Sequence, residues 1–197
     1  MKVIGVTGGV GAGKSTVLGM LNKMCNCECI MADDVAKSLM QRNGILAEDA
    51  IRLFGPEAYT ATGELDRSYL AGRIYEDSEL RKQWNACVHP ATNARIRELV
   101  ENARADGRDY AFVEAALLIE NHYEEFCDEL WYVYASPEVR AGRLLSDRGY
   151  SGERTRAMDA AMLSDEAYRS HCDRVIDTGI SLEETRRQLE KALVEAG

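Results

Sequence analysis

Eight residues near the start of the chain, Gly8-Gly9-Val10-Gly11-Ala12-Gly13-Lys14-Ser15, have the types and spacing of a loop that holds phosphate. They match G-x-x-x-x-G-K-[ST] at every fixed position. Gly9, Gly11, Ala12 and Gly13 supply a backbone able to wrap phosphate oxygens with its N–H groups turned inward, a path that larger side chains would obstruct. Lys14 is spaced to reach the β- and γ-phosphates, the Ser15 hydroxyl to hold Mg²⁺, and Thr16 to touch the α-phosphate side. A helix beginning near Lys14 would add the positive end of its dipole. A glycine turn followed by a chance Lys-Ser pair is the alternative. The surrounding elements argue against it, and the expected ligand is a nucleoside triphosphate.

Those elements are a strand before the loop and a helix after it. Lys2-Val3-Ile4-Gly5-Val6-Thr7 is a short apolar run rich in β-branched residues, as in a buried parallel strand. Lys14 to Leu21 has helical character. Further strand patterns end near Ile30-Met31 and cover Asp109–Glu114, Leu130–Tyr134 and Arg174–Asp177. Between about 34 and 105 the pattern is mostly helical, with breaks at Asn43-Gly44, Gly55-Pro56 and Thr62-Gly63. Leu65, Tyr69, Leu70, Ile74 and Leu80 recur there at helical intervals. A last amphipathic helix spans about Ser181 to Glu195, and Ser181-Leu182-Glu183-Glu184 predicts a capping box. Strands alternating with helices predict an α/β fold: a three-layer αβα sandwich around a parallel sheet of about five strands. One domain with two excursions is expected, a helical one at about 34–105 and a polar, arginine-rich flap at about 137–167.

The chain has 197 residues, 46% hydrophobic and 29% charged, enough for one ordinary core. A formal charge of −9 argues against a nucleic-acid binder, although local groups can still hold nucleotide phosphates. No export signal or membrane-length apolar run is legible, so a cytoplasmic protein is expected. The spacing of Cys25, Cys27 and Cys29 suits one face of a strand or its approach and lacks paired C-x2-C spacing; structural thiols are the favoured reading over a metal site.

Among phosphate-loop proteins, a GTPase would need Asn-Lys-x-Asp after a strand. The only Asn-Lys pair, Asn22-Lys23, is followed by Met24-Cys25 and lies on the first helix. A mechanical ATPase usually carries more domain around the loop. A small kinase fits the layout best.

Several separated segments are similar to the dephospho-CoA kinase family, in order and at similar spacing. They are Ile4–Thr16, Ala32-Asp33-Asp34-Val35-Ala36, Gly63-Glu64-Leu65-Asp66-Arg67-Ser68-Tyr69-Leu70, His89-Pro90, Glu114–Glu120 and Cys172–Asp177. The resemblance implies a P-loop kinase that uses Mg²⁺ and ATP to phosphorylate the ribose 3′-hydroxyl of dephospho-CoA, the final step of coenzyme A biosynthesis. Small-molecule substrates are therefore expected as the partners, with neither nucleic acid nor membrane, and a monomer or small homo-oligomer as the state.

By the same resemblance Asp33 is the candidate general base, with a helix N-cap as its alternative reading. Arg67 and His89 become acceptor contacts; an exposed Asp66–Arg67 ion pair and a packed or surface histidine are the alternatives. Glu114 would bind water on Mg²⁺ or hold acceptor groups. Arg140, Arg143 and Arg148 become flap arginines, Arg143 as the catalytic candidate and the other two for ATP, against a charged helix face. The chain departs from the family pattern at Glu114, Ala116, the Asp147-Arg148 order and Met162.

Overall fold

The computed structural model describes residues 1–196, apart from the side chain of Glu124. Its centre is a five-stranded parallel sheet, formed where the short apolar runs place β-branched and aromatic residues on both buried faces. The strands are β1 (Lys2–Thr7), β2 (Cys27–Met31), β3 (Tyr110–Glu114), β4 (Glu129–Tyr134) and β5 (Arg174–Asp177), in the spatial order β2-β3-β1-β4-β5. In register, Val6 pairs with Glu114 on one side and Trp131 on the other, and Tyr134 pairs with Asp177. Thr7, Glu114, Tyr134 and Asp177 thus end their strands on one edge of the sheet, the edge where open α/β sheets bind ligands.

By contact the described chain forms two compact units. One comprises Met1–Ile30 with the chain from Val100 onward. Its core joins Ile4, Val6, Phe112, Trp131, Val133 and Ile176 to Val17, Leu18 and Leu21 of helix α1 (Lys14–Met24). The C-terminal helix, numbered α9 (Leu182–Ala196), adds Leu189 and Ala192 and packs on α1 and β5. Ser181 Oγ accepts from Glu184 N at 3.1 Å, as a capping box requires. The Glu184 carboxylate, however, binds Arg187 instead of returning to Ser181, so only half of the predicted box forms.

Cys27 is buried in this core, Cys25 and Cys29 pack against it, and the thiols of Cys27 and Cys29 lie 4.0 Å apart. Cys27 and Cys29 lie two apart on β2, and Cys25 stands before the strand as the C-cap of α1. Cys25, Cys27, Cys29, Cys87 and Cys172 are free thiols.

The second unit, Met31–Leu99, is built from α2 (Ala32–Leu39), α3 (Ala47–Phe54), α4 (Arg67–Glu76) and most of the long α5 (Ser78–Ala105). Phe54 meets Trp84 edge-on at 5.3 Å, and the Tyr69 hydroxyl donates to Phe54 O at 2.9 Å. Leu65, expected on a helix face, instead forms an antiparallel bridge with Tyr59, because Thr62-Gly63 turns the chain back at that point. Asp66 is the N-cap of α4: its carboxylate accepts from Tyr69 N at 2.9 Å, a role different from the ion pair with Arg67 that stood as the alternative reading.

Three further helices of the first unit, α6 (Pro137–Arg148), α7 (Gly152–Ala160) and α8 (Asp165–His171), lie between β4 and β5 in sequence. Each starts at a serine N-cap, Ser136, Ser151 or Ser164, whose hydroxyl accepts a backbone N–H three residues on.

Glu129 ties the first unit together. Burial alone would raise its carboxyl pKa, but hydrogen bonds from Arg174, Lys2 and Trp131 outweigh burial and hold it at about 2. A group whose pKa falls from 4.5 to about 2 on folding contributes roughly 3 kcal/mol above pH 4.5. That contribution is lost as pH falls from 4.5 towards 2. Thermal melts of the wild type and Glu129→Gln from about pH 6 to about pH 3 should show a stability gap that narrows with acid. Parallel curves would contradict this role.

Candidate active site

The phosphate loop leaves β1 at Thr7 and enters α1 at Lys14, as the strand and helix patterns require. Gly13 is the N-cap of α1 with φ +92°, a left-handed conformation that glycine adopts without strain. Space matters there too, since a Cβ on Gly13 would stand 3.3 Å from Thr178 Oγ1 and 3.4 Å from Arg143 Nη1. The first turn of α1 is Lys14-Ser15-Thr16-Val17, with no acidic residue and no side-chain cap, so its positive end is left for an anion. Ser15 and Thr16 are exposed in that turn.

Lys14 folds back along the loop. Its Nζ donates to Gly8 O at 2.8 Å and Gly9 O at 3.4 Å, and lies 3.6 Å from Glu114 Oε1. Both side chains are largely buried, at 12% and 17% exposure, so the pair sits in a low-dielectric setting where charge counts strongly. An ammonium and a carboxylate thus meet at the C-terminal edge of the sheet beside the phosphate loop.

Two of the three flap arginines reach the loop. Arg143 donates to Gly11 O at 3.3 Å, to Thr178 Oγ1 at 3.0 Å and to Thr178 O at 2.6 Å. Arg140 pairs with Asp159 of α7 and donates from Nε to Ala135 O at 3.2 Å. A Cβ placed on Gly9 would stand 2.6 Å from Arg140 Nη1. Arg148 ends α6 and is exposed. The spacing of three residues therefore turns Arg140 and Arg143 to the same side of α6, and both guanidinium groups already have protein partners.

The structure thus brings Gly9, Gly11, Ala12, Gly13, Lys14, Glu114, Arg140 and Arg143 together within the first unit. Asp33, Arg67 and His89 belong to the second. Asp33 is an exposed residue in the first turn of α2, whose N-cap is Met31, so the N-cap reading of Asp33 fails. That helix starts at Ala32, two residues too early for Asp33 to cap it. Arg67 is the exposed first residue of α4. His89 is half-buried in α5, next to Pro90 inside the same helix.

Thr178 was not among the expected site residues. It is 7% exposed and its hydroxyl donates to Ala12 O at 2.6 Å, which fixes the back of the loop. A signal existed: Thr178 directly follows strand β5, on the edge where ligands bind. The acidic partner Asp159 carried no such signal.

Comparison with known proteins identifies the family. A family model described as dephospho-CoA kinase matches residues 2–184. The chain is similar to the dephospho-CoA kinase of Symbiobacterium thermophilum, 35% identical over 192 residues covering 98% of this chain and 80% of that one. It is also similar to that of Corynebacterium diphtheriae, 35% identical over 192 residues with 96% of each chain covered. A solved structure from Thermus thermophilus superposes with a TM-score of 0.82 at 32% identity, covering 98% of this chain and 97% of that one.

Proposed function

The chain belongs to the dephospho-CoA kinase family, and from that premise we propose that it transfers the γ-phosphate of ATP to the ribose 3′-hydroxyl of dephospho-CoA with the help of Mg²⁺. The observation that carries the reading is the phosphate loop with Lys14 Nζ 2.8 Å from Gly8 O and facing Glu114.

In this reading the loop amides and the N-terminus of α1 bind the donor phosphates, and Lys14 neutralises charge on the β- and γ-phosphates. Gly9, Gly11, Ala12 and Gly13 form the cradle, and Thr16 serves the α-phosphate side. The Ser15 hydroxyl and the Glu114 carboxylate are hard oxygen donors of the kind Mg²⁺ takes, Glu114 acting through water. The ion, when bound, supplies positive charge to the migrating phosphoryl group. Arg143, held on Gly11 O and Thr178, and Arg140, held beside Gly9, add cations near that group. Arg148 joins them when the segment 137–167 closes as a lid.

The helical stretch 34–105 receives the acceptor, with Arg67 and His89 as contacts and Asp33 as the base. The 3′-oxygen forms its bond to γ-phosphorus, the bond from γ-phosphorus to the ADP oxygen breaks, and the hydroxyl proton passes to Asp33. Catalysis rests mainly on alignment and charge neutralisation.

ADP release measured with dephospho-CoA, AMP, shikimate and gluconate tests the substrate. Turnover is expected with dephospho-CoA alone. Faster turnover with another of the four would overturn the substrate assignment.

A further inference from the structure

Thr178 follows β5 directly, is 7% exposed, and touches both the phosphate loop and an arginine that reaches it. Its backbone N–H donates to Tyr134 O at 2.8 Å, which ties it to the end of β4. Its hydroxyl lies 2.6 Å from Ala12 O and 3.2 Å from Tyr134 O. A hydroxyl has one hydrogen and two lone pairs, and the shorter contact takes the hydrogen. The oxygen is thereby left as a fixed acceptor, and Arg143 Nη1 donates to it at 3.0 Å.

The same residue holds Arg143 at a second point, Nη2 donating to Thr178 O at 2.6 Å. Two acceptors fix the plane of a guanidinium, where one would leave it free to turn. The contact from Nη1 to Gly11 O, at 3.3 Å, is too long to set that plane by itself. Among the described residues these contacts use three of the five N–H groups of Arg143. The other two, on Nε and Nη2, can meet phosphate oxygens. Valine would fill the space of Thr178 equally well. What it lacks is the acceptor.

Resting on the ATP-dependent reaction proposed above, we propose that Thr178 is a positioning residue for phosphoryl transfer. Its hydroxyl, set by Ala12 O, holds the Arg143 guanidinium at the phosphate loop in the orientation that meets the migrating phosphoryl group. Arg143 supplies the charge, and Thr178 acts through it. A donor aimed in advance need not reorganise as charge develops.

ADP release by Thr178→Val and Thr178→Ser, each alone and combined with Arg143→Ala, tests the clamp. Thr178→Val should lower kcat about tenfold with KM for ATP unchanged, because a charged hydrogen bond to the arginine is lost. Thr178→Ser, which keeps the hydroxyl, should recover most of that loss. In the Arg143→Ala background Thr178→Val should cost almost nothing further, since the group it positions is gone. Thermal melts accompany the rates, and Thr178→Ala serves the same comparison if the valine variant does not fold. A full loss in the Arg143→Ala background, or a raised KM for ATP with kcat intact, would make Thr178 a prop of the loop and overturn the assignment. Wild-type kcat in Thr178→Val would overturn it too. The comparison is run on whichever of the four acceptors the wild type phosphorylates, so turnover of another acceptor overturns the substrate while the clamp is still decided. Wild-type protein that releases no ADP with any acceptor overturns the reaction and this inference together.

Discussion

Lys14→Ala is expected to lower kcat/KM for phosphoryl transfer by at least 10²–10³-fold, the loss typical of removing one preorganised charge-stabilising donor. The ammonium is 12% exposed and lies against Gly8 O, Gly9 O and Glu114, so no water-filled substitute can reproduce its position. Lys14→Arg should rescue little, because a planar fork does not fit a place shaped for a compact charge. Folding should survive, since Lys14 stands in the first turn of α1, outside the apolar core. Rates from ADP release, read beside a thermal melt, check both halves. Activity within about tenfold of wild type would remove Lys14 from the phosphate path.

Gly8→Ala should instead destabilise the whole first unit. Gly8 has φ +144°, and a Cβ there would sit 2.2 Å from the Val133 carbonyl oxygen of β4. That oxygen belongs to backbone inside the sheet, so it has nowhere to move. Strain and overpacking together are expected to cost about 3 kcal/mol. In a domain of this size that corresponds to a melting temperature roughly 6–12 °C lower. ATP binding should weaken as well, because relief of the clash displaces the start of the loop. A variant that melts with the wild type would contradict the close approach of loop and strand.

These two residues were legible before any coordinates. A loop that wraps phosphate needs glycines and a lysine at fixed spacing, so ligand chemistry writes itself directly into sequence. The sheet was legible for a similar reason: Val3-Ile4, Phe112-Val113 and Trp131–Val133 are short apolar runs buried on both faces, and each is a strand.

What sequence did not reveal depends on packing between elements far apart in the chain. Arg140 finds Asp159 nineteen positions away because α7 folds back against α6, which no local periodicity encodes. Thr178 meets Ala12 O across 166 positions only because β5 ends beside the loop. The alternative reading of Asp33 as an N-cap fails for a local reason. Aspartate is a common N-cap, but β2 runs straight into α2 at Ala32 and leaves Asp33 inside the first turn.

The most direct test of the proposed reaction is the fate of the γ-phosphate. Purified protein with Mg²⁺, γ-labelled ATP and dephospho-CoA should yield a product heavier by one phosphate, with the label on the ribose 3′-oxygen by ³¹P NMR and mass spectrometry, and Lys14→Ala should yield none. Label released as inorganic phosphate with dephospho-CoA unchanged, or attached at any other position, would contradict the account.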